Sequence, residues 1–229
     1  MGLCGISLLT CLLLACQTAP LLGEKIRLKS GKEVEVLNGQ IPEKSAHALY
    51  AEAQEFFQRG RLDLARDYCQ FLIKNATGEV ISLAKQTQEE VTEVEYSSRI
   101  HLGNGKILTG KVFANLRRHL LGLERKEEIP IWKVEEIDAT YQAAYSQVSK
   151  TFYPTIILEI KLEGEHLQTT RMIGEVEFMV EEKDGSVTPL ILGSPYKLLK
   201  GENLSQTLQE LSQDRIIKVV IYPSLRFPQ

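Results

Sequence analysis

The chain predicts a mixed α+β fold, and three observations carry that prediction. Strand-period alternation flanks a helix-period stretch on both sides, and a strand-rich segment occupies the C-terminal third. Hydrophobic residues make up 43% of the 229 positions and charged residues 25%, as in an ordinary folded protein. The order read along the chain is a leader (1–15), a linker (16–24), a β-hairpin (25–43), a helical segment (44–97), a small β unit (98–145) and a larger one (149–229).

No charged residue occurs before Glu24. Leu3 to Ala15 form an apolar run of secretory h-region length, short of the ~20 residues that a membrane-spanning helix needs. Extending it to Leu22 takes in Gln17, Thr18 and Pro20. The run ends in Leu13-Leu14-Ala15-Cys16, which resembles the bacterial lipobox: a leucine, a small or aliphatic residue and a small residue before a cysteine. The resemblance implies that residues 1–15 are a signal peptide and that Cys16 becomes a diacylated N-terminus. Two features depart from the pattern, the bulk of Leu14 and the lack of Lys or Arg in the leader. Cys11 fits less well, because Thr10 precedes it. A plain signal peptide and an uncleaved N-terminal anchor are the alternatives. Gly2 fits myristoylation poorly, since Ile6 stands where Ser or Thr is wanted. By the same resemblance Gln17 carries no inner-membrane retention signal, which favours the outer membrane.

Cys4 and Cys11 lie in the leader and Cys16 is taken up by the lipid, leaving Cys69 as the one free thiol expected in the processed chain, with no intrachain disulfide and no cysteine-based metal site. Cys69 reads as a small buried hydrophobe. A formal net charge of −3 argues against a nucleic-acid binder driven by positive potential.

The first hairpin is Lys25-Ile-Arg-Leu-Lys-Ser-Gly-Lys-Glu-Val-Glu-Val36, where Ile26, Leu28, Val34 and Val36 alternate with polar residues around Ser30-Gly31. A related string returns at Arg99-Ile-His-Leu-Gly-Asn-Gly-Lys-Ile-Leu-Thr-Gly-Lys-Val112. Gly103-Asn-Gly-Lys106 is no phosphate loop, which needs Gly-x4-Gly-Lys-Ser/Thr leading into a helix. Asn-Gly between two alternating runs is instead a hairpin signal. Leu120 to Leu123 and Glu128-Ile-Pro-Ile-Trp-Lys-Val-Glu-Glu-Ile137 follow. From Ser98 to Asp138 this order resembles the small five-strand barrels of the Sm-like and Src-homology type, which implies a fold and little about function. Arg117, Arg118 and His119 form a basic tip that reads as a solvated loop, with no aromatic platform beside it. Trp132 breaks the alternation of Ile129 and Ile131, and a partly buried packing role suits it best.

Between the hairpins, Ala48, Ala53, Phe56 and Phe57 precede Gly60-Arg-Leu-Asp-Leu-Ala65, then Cys69 and Leu72. This resembles one tetratricopeptide repeat, with Leu62 as the turn hydrophobe and Ala65 as the close-contact alanine. Leu49 stands where the repeat prefers Trp, and the terminal Pro is absent. A third helix carries Val80, Leu83, Ala84, Thr87, Val91 and Val94 on one face. A lone repeat cannot bury its own face, so it packs within the chain or holds a peptide.

Beyond Ser149, Ile156, Leu158, Ile160 and Leu162 alternate with Ile157, Glu159 and Lys161. Gly164 turns the chain towards Leu167, and Lys183-Asp184-Gly185 marks a further turn after Val176, Phe178 and Val180. Leu204, Leu208 and Leu211 keep helical spacing, and Ile216 to Tyr222 is a nearly continuous apolar strand. Regular strands and turns suggest an antiparallel sandwich. Glu175, Glu177, Glu181 and Glu182 read as a solvated sheet face rather than a cation site, which would want a loop rich in Asp or Asn. The predicted architecture is a small β-barrel with a tetratricopeptide-like helical insert, followed by a C-terminal antiparallel β-sandwich-like domain.

His47, His101, His119 and His166 stand at no metal-ligand spacing, and no Gly-x-Ser-x-Gly or Ser-x-x-Lys motif occurs. The expectation is a non-enzymatic lipoprotein of the bacterial envelope, without cofactor or metal and without nucleic acid. Its membrane anchor is Cys16, and it scaffolds other envelope proteins. Phe56, Phe57, Leu62 and Trp132 are the candidate partner-binding residues. The alternative is a binder of an envelope glycan or small ligand through the C-terminal β domain.

Overall fold

The computed structural model describes residues 23–117, 128–172, 174–194, 199 and 203–226. The leader with Cys16, the Arg118-His119 part of the basic tip and Leu120 to Leu123 lie outside the described residues. Strands β1 (Gly23–Arg27) and β2 (Glu33–Leu37) pair antiparallel, with Ile26 opposite Val34. Leu28, Val34 and Val36 are buried, as period-2 alternation demands of a hairpin with one covered face.

Three helices cover that face: α1 (Glu43–Gln58), α2 (Leu62–Asn75) and α3 (Glu79–Glu95). Pro42 precedes α1, where its missing N–H costs no helical bond, and Ala46, Leu49 and Ala53 form the buried stripe. Gly60 adopts the left-handed region at φ 72°, the conformation that ends a helix most cheaply at glycine. The first hairpin and the three helices share one hydrophobic cluster centred on Tyr68, Cys69 and Leu72. Burial pushes the Cys69 thiol up to about 11, so it stays protonated at neutral pH.

The rest of the chain supplies β3 (Ser98–Leu102), β4 (Ile107–Ala114), β5 (Leu116–Arg117), β6 (Glu128–Ile129), a 3₁₀ turn (Ile131–Lys133) and β7 (Val134–Ser146). β8 (Thr151–Leu162), β9 (Glu165–Met172), β10 (Gly174–Glu181), β11 (Val187–Ser194), α4 (Leu204–Ser212), β12 (Ile216–Val220) and α5 (Pro223–Arg226) follow. The fold is thus mixed α+β. Eight strands form one antiparallel sheet in the order β11-β10-β4-β3-β12-β7-β8-β9, curled into a half-barrel. The curl brings β11 across to the far strands. Tyr141 of β7 donates from its hydroxyl to the Gly193 and Ile216 carbonyls at 3.3 and 3.1 Å, and Ile191 bridges Arg215.

This pairing differs from two separate β units at 98–145 and 149–229. β12 inserts between β3 and β7, and β10 pairs with β4, so the later strands take the ladder positions that a five-strand barrel would use to close on itself. One hydrophobic cluster accordingly runs through both segments, including Ile100, Ile137, Leu158, Phe178 and Val219. A Cβ at Gly110 would overlap the Glu181 carbonyl oxygen, so the β4–β10 approach requires glycine there.

Helices and sheet are joined by burial and by charge. Leu62, Ala65, Val91 and Val94 enter the sheet cluster. Beside them the Glu95 carboxylate, its side chain 8% exposed, receives Arg66 of α2 at 2.9 and 2.5 Å and Lys111 of β4 at 3.3 Å. That hydrogen-bonded carboxylate raises the Arg66 guanidinium above its ordinary value. Removing one member of a buried pair costs about 3 kcal/mol, whereas an exposed pair such as Arg59–Glu55 contributes ~0–1 kcal/mol. Because Arg66 and Lys111 are each about a quarter exposed, we expect Glu95→Ala to lower the unfolding free energy in urea by about 2 kcal/mol and Arg59→Ala by less than about 1 kcal/mol.

Tyr141 makes a second prediction. Burial raises its phenol from 10.0 to about 12, so the folded state holds a proton that the unfolded chain releases near pH 10. The stabilisation is complete below pH 10 and is lost as pH climbs towards 12. Alkaline titrations of unfolding should fall less steeply over that window in Tyr141→Phe than in the wild type.

Candidate functional site

Helix periodicity sets one face of α1 against one face of α3. Tyr50, Gln54 and Phe57 lie at i, i+4 and i+7 on α1. Gln54 donates to the Thr87 hydroxyl at 2.6 Å and to the Tyr50 hydroxyl at 2.8 Å, closing the two helices at that level. Past this clamp α1 ends while α3 continues, and a groove of about 690 Å³ opens. Phe57, Val94 and Leu225 of α5 form its apolar floor, and Glu89, Glu90 and Glu93 of α3 form an acidic wall. Ser97 and Ser224 close one end, their hydroxyls 3.1 Å apart.

Leu225 arrives there because the chain reverses after β12. Tyr222 sits at φ 49°, its amide donates to the Ser98 hydroxyl at 3.2 Å, and the Leu225 amide donates to the Tyr222 carbonyl at 3.1 Å. The groove's wall is held more loosely. Glu93 pairs with Lys183 from the β10–β11 turn at 2.7 Å, and Glu90 accepts from Gln86 at 2.9 Å.

The four sequence-predicted residues take different places. Phe57 is half-buried and faces the groove. Phe56 makes an edge contact with Tyr68, ring centroids 5.2 Å apart, and packs against both cores. Leu62 is 2% exposed and belongs to the interior, so it offers no surface. Trp132 is half-buried in the 3₁₀ turn, with the Arg61 guanidinium 4.9 Å and the Lys133 ammonium 5.3 Å from its ring centre. Its carbonyl lies near Gly60, which docks the α1–α2 turn on the sheet. Cys16 lies outside the described residues.

Val94 is legible from the sequence as a face residue of the third helix. The acidic triplet shows in the sequence only as i, i+1, i+4 spacing on the flank of that face, and Leu225, in a short Pro-Ser-Leu-Arg segment, gives no periodic signal.

A second groove of about 720 Å³ lies over β4 and β10. Phe113 and Met179 face each other across that ladder and are 36% and 43% exposed, with Glu175, Glu177 and Arg117 around them. Glu175 pairs with Arg215, and Glu181 accepts from the Tyr96 hydroxyl at 2.8 Å. Among the described residues no group of three or more His, Cys, Asp or Glu is placed to hold a metal ion, and no helix is long and apolar enough to cross a membrane. No protein-family model, curated protein or solved structure matches the chain.

Proposed function

We propose that the chain is a non-enzymatic adaptor of the bacterial envelope, tethered by a lipid on Cys16 to the outer membrane and binding another envelope protein in the α1–α3 groove. The groove carries the reading: an aromatic and two aliphatic side chains line an open trough at the edge of a helical unit. The α1–α2 pair, with its Gly60 turn and with Leu62 and Ala65 packed inward, supports the tetratricopeptide-like reading of this unit. Helix pairs of that kind offer grooves to amphipathic segments of other proteins. The lipid anchor rests on Leu13 to Cys16.

A second reading, binding of an envelope glycan or small ligand through the strand-rich segment, is favoured by one observation. The trough over β4 and β10 exposes Phe113 beside carboxylates, with the Lys111 ammonium 5.2 Å from the ring centre, a setting in which the ring's other face can stack on a sugar while acids accept hydrogen bonds from its hydroxyls.

The expected outcomes separate these readings. Cys16→Ser should lose acyl labelling and move from the membrane to the soluble fraction; unchanged partition would exclude the anchor. Crosslinking in intact cells should join the wild type to an envelope protein, with several-fold weaker capture by Phe57→Ala and by Leu225→Ala, compared at a temperature where the melt of each variant shows it folded. Retention on peptidoglycan or polysaccharide with no protein captured would sink the adaptor reading and favour the glycan one.

A further inference from the structure

We infer that the α1–α3 groove takes a cationic amphipathic segment of its partner, apolar side chains entering the floor and Lys or Arg side chains meeting the acidic wall. The inference rests on the adaptor reading and specifies the partner's chemistry.

Charge is the argument. Within α3, Lys85 is the sole basic residue against Glu79, Glu89, Glu90, Glu93 and Glu95. Glu95 is satisfied on the other side of the helix by Arg66 and Lys111. Of the three wall carboxylates, Glu93 meets the exposed Lys183 and Glu90 meets only the neutral Gln86 amide. Glu89 makes no ion pair among the described residues. The wall therefore carries a net negative field beside an apolar floor, where low-polarity surface screens it less than water does.

Geometry narrows the ligand further. One helical turn rises ~5.4 Å, so Glu89 and Glu90 stand about a turn from Glu93. Lys or Arg at i and i+3 or i+4 of an incoming helix matches that spacing and leaves its opposite stripe for Phe57, Val94 and Leu225. An anionic peptide with the same apolar stripe would meet repulsion, as would a nucleic-acid backbone.

The test uses the purified full chain and two 14-residue helical probes with identical leucine stripes, one bearing lysine and the other glutamate on the polar face. By fluorescence anisotropy the lysine probe should bind at least ten-fold more tightly than the glutamate probe, and the preference should shrink as salt rises. The surface triple variant Glu89→Gln/Glu90→Gln/Glu93→Gln, checked for an unchanged melt, should lose at least ten-fold in affinity for the lysine probe. Phe57→Ala should weaken both probes. Equal binding of the two probes, or undiminished affinity in the triple variant, would overturn the inference, as would probe binding lost only when the chain self-associates. The adaptor reading fails separately: it falls if crosslinking in cells captures no protein, and it survives if the triple variant keeps a protein partner that Phe57→Ala loses.

Discussion

The arrangement of helices on the sheet depends on one buried carboxylate, Glu95, in a position that helix electrostatics alone disfavours. It is the last residue of α3, at the negative end of the helix dipole, and water hardly reaches it. Two cations offset that penalty, and they come from different elements, Arg66 from α2 and Lys111 from β4. A buried charge without its partners costs several kcal/mol, so α2, α3 and β4 hold their positions relative to one another or lose the pairing together. Fixing α3 at this end also fixes which way its last two turns face. Val91 and Val94 reach the sheet core, and the acids of the outer stripe are left on the groove side.

A three-helix unit with apolar residues on two sides needs two covers. The β1–β2 hairpin supplies one, through Leu28, Val34 and Val36 against Leu49 and Leu72. The half-barrel supplies the other, through Leu62, Ala65, Val91 and Val94. Fully burying one such aliphatic side chain stabilises by ~1.5–3 kcal/mol, more than any of the exposed ion pairs contributes. Burial therefore holds the unit in place and the Glu95 cluster sets its orientation. The groove is what remains where neither cover extends, beyond the end of α1.

Local features of this fold were legible because they depend on neighbours in sequence. Ser30-Gly31 and Asn104-Gly105 mark the hairpins they form, with Gly31 and Gly105 at φ 89° and 86°. The stripes of α1 and α3 follow helical spacing, and Leu204, Leu208 and Leu211 mark α4. Strand partnership was not legible. β12 reads as a nearly continuous apolar strand broken by Lys218, but nothing in Ile216 to Val220 names β3 and β7 as its neighbours. Trp132 broke the alternation for a local reason: the chain turns through a 3₁₀ helix there and resumes strand phase at Val134.

The candidate site divides along the same line. Phe57 could be picked out by type and position in a helix-period stretch, and Val94 lay on a predicted face. Glu89, Glu90 and Glu93 looked like any solvated helix surface, because charge on an exposed stripe has no meaning until something apolar lies beside it. Leu225 is what lies beside it, brought there by the reversal at Tyr222 and by the hydrogen bond from the Tyr222 amide to Ser98, where the sheet begins. The groove is thus a tertiary property, made from a helix end, a helix flank and the segment after the last strand. Its acidity is local to α3, its apolar floor is shared among three elements, and only their conjunction distinguishes the groove from a solvated face.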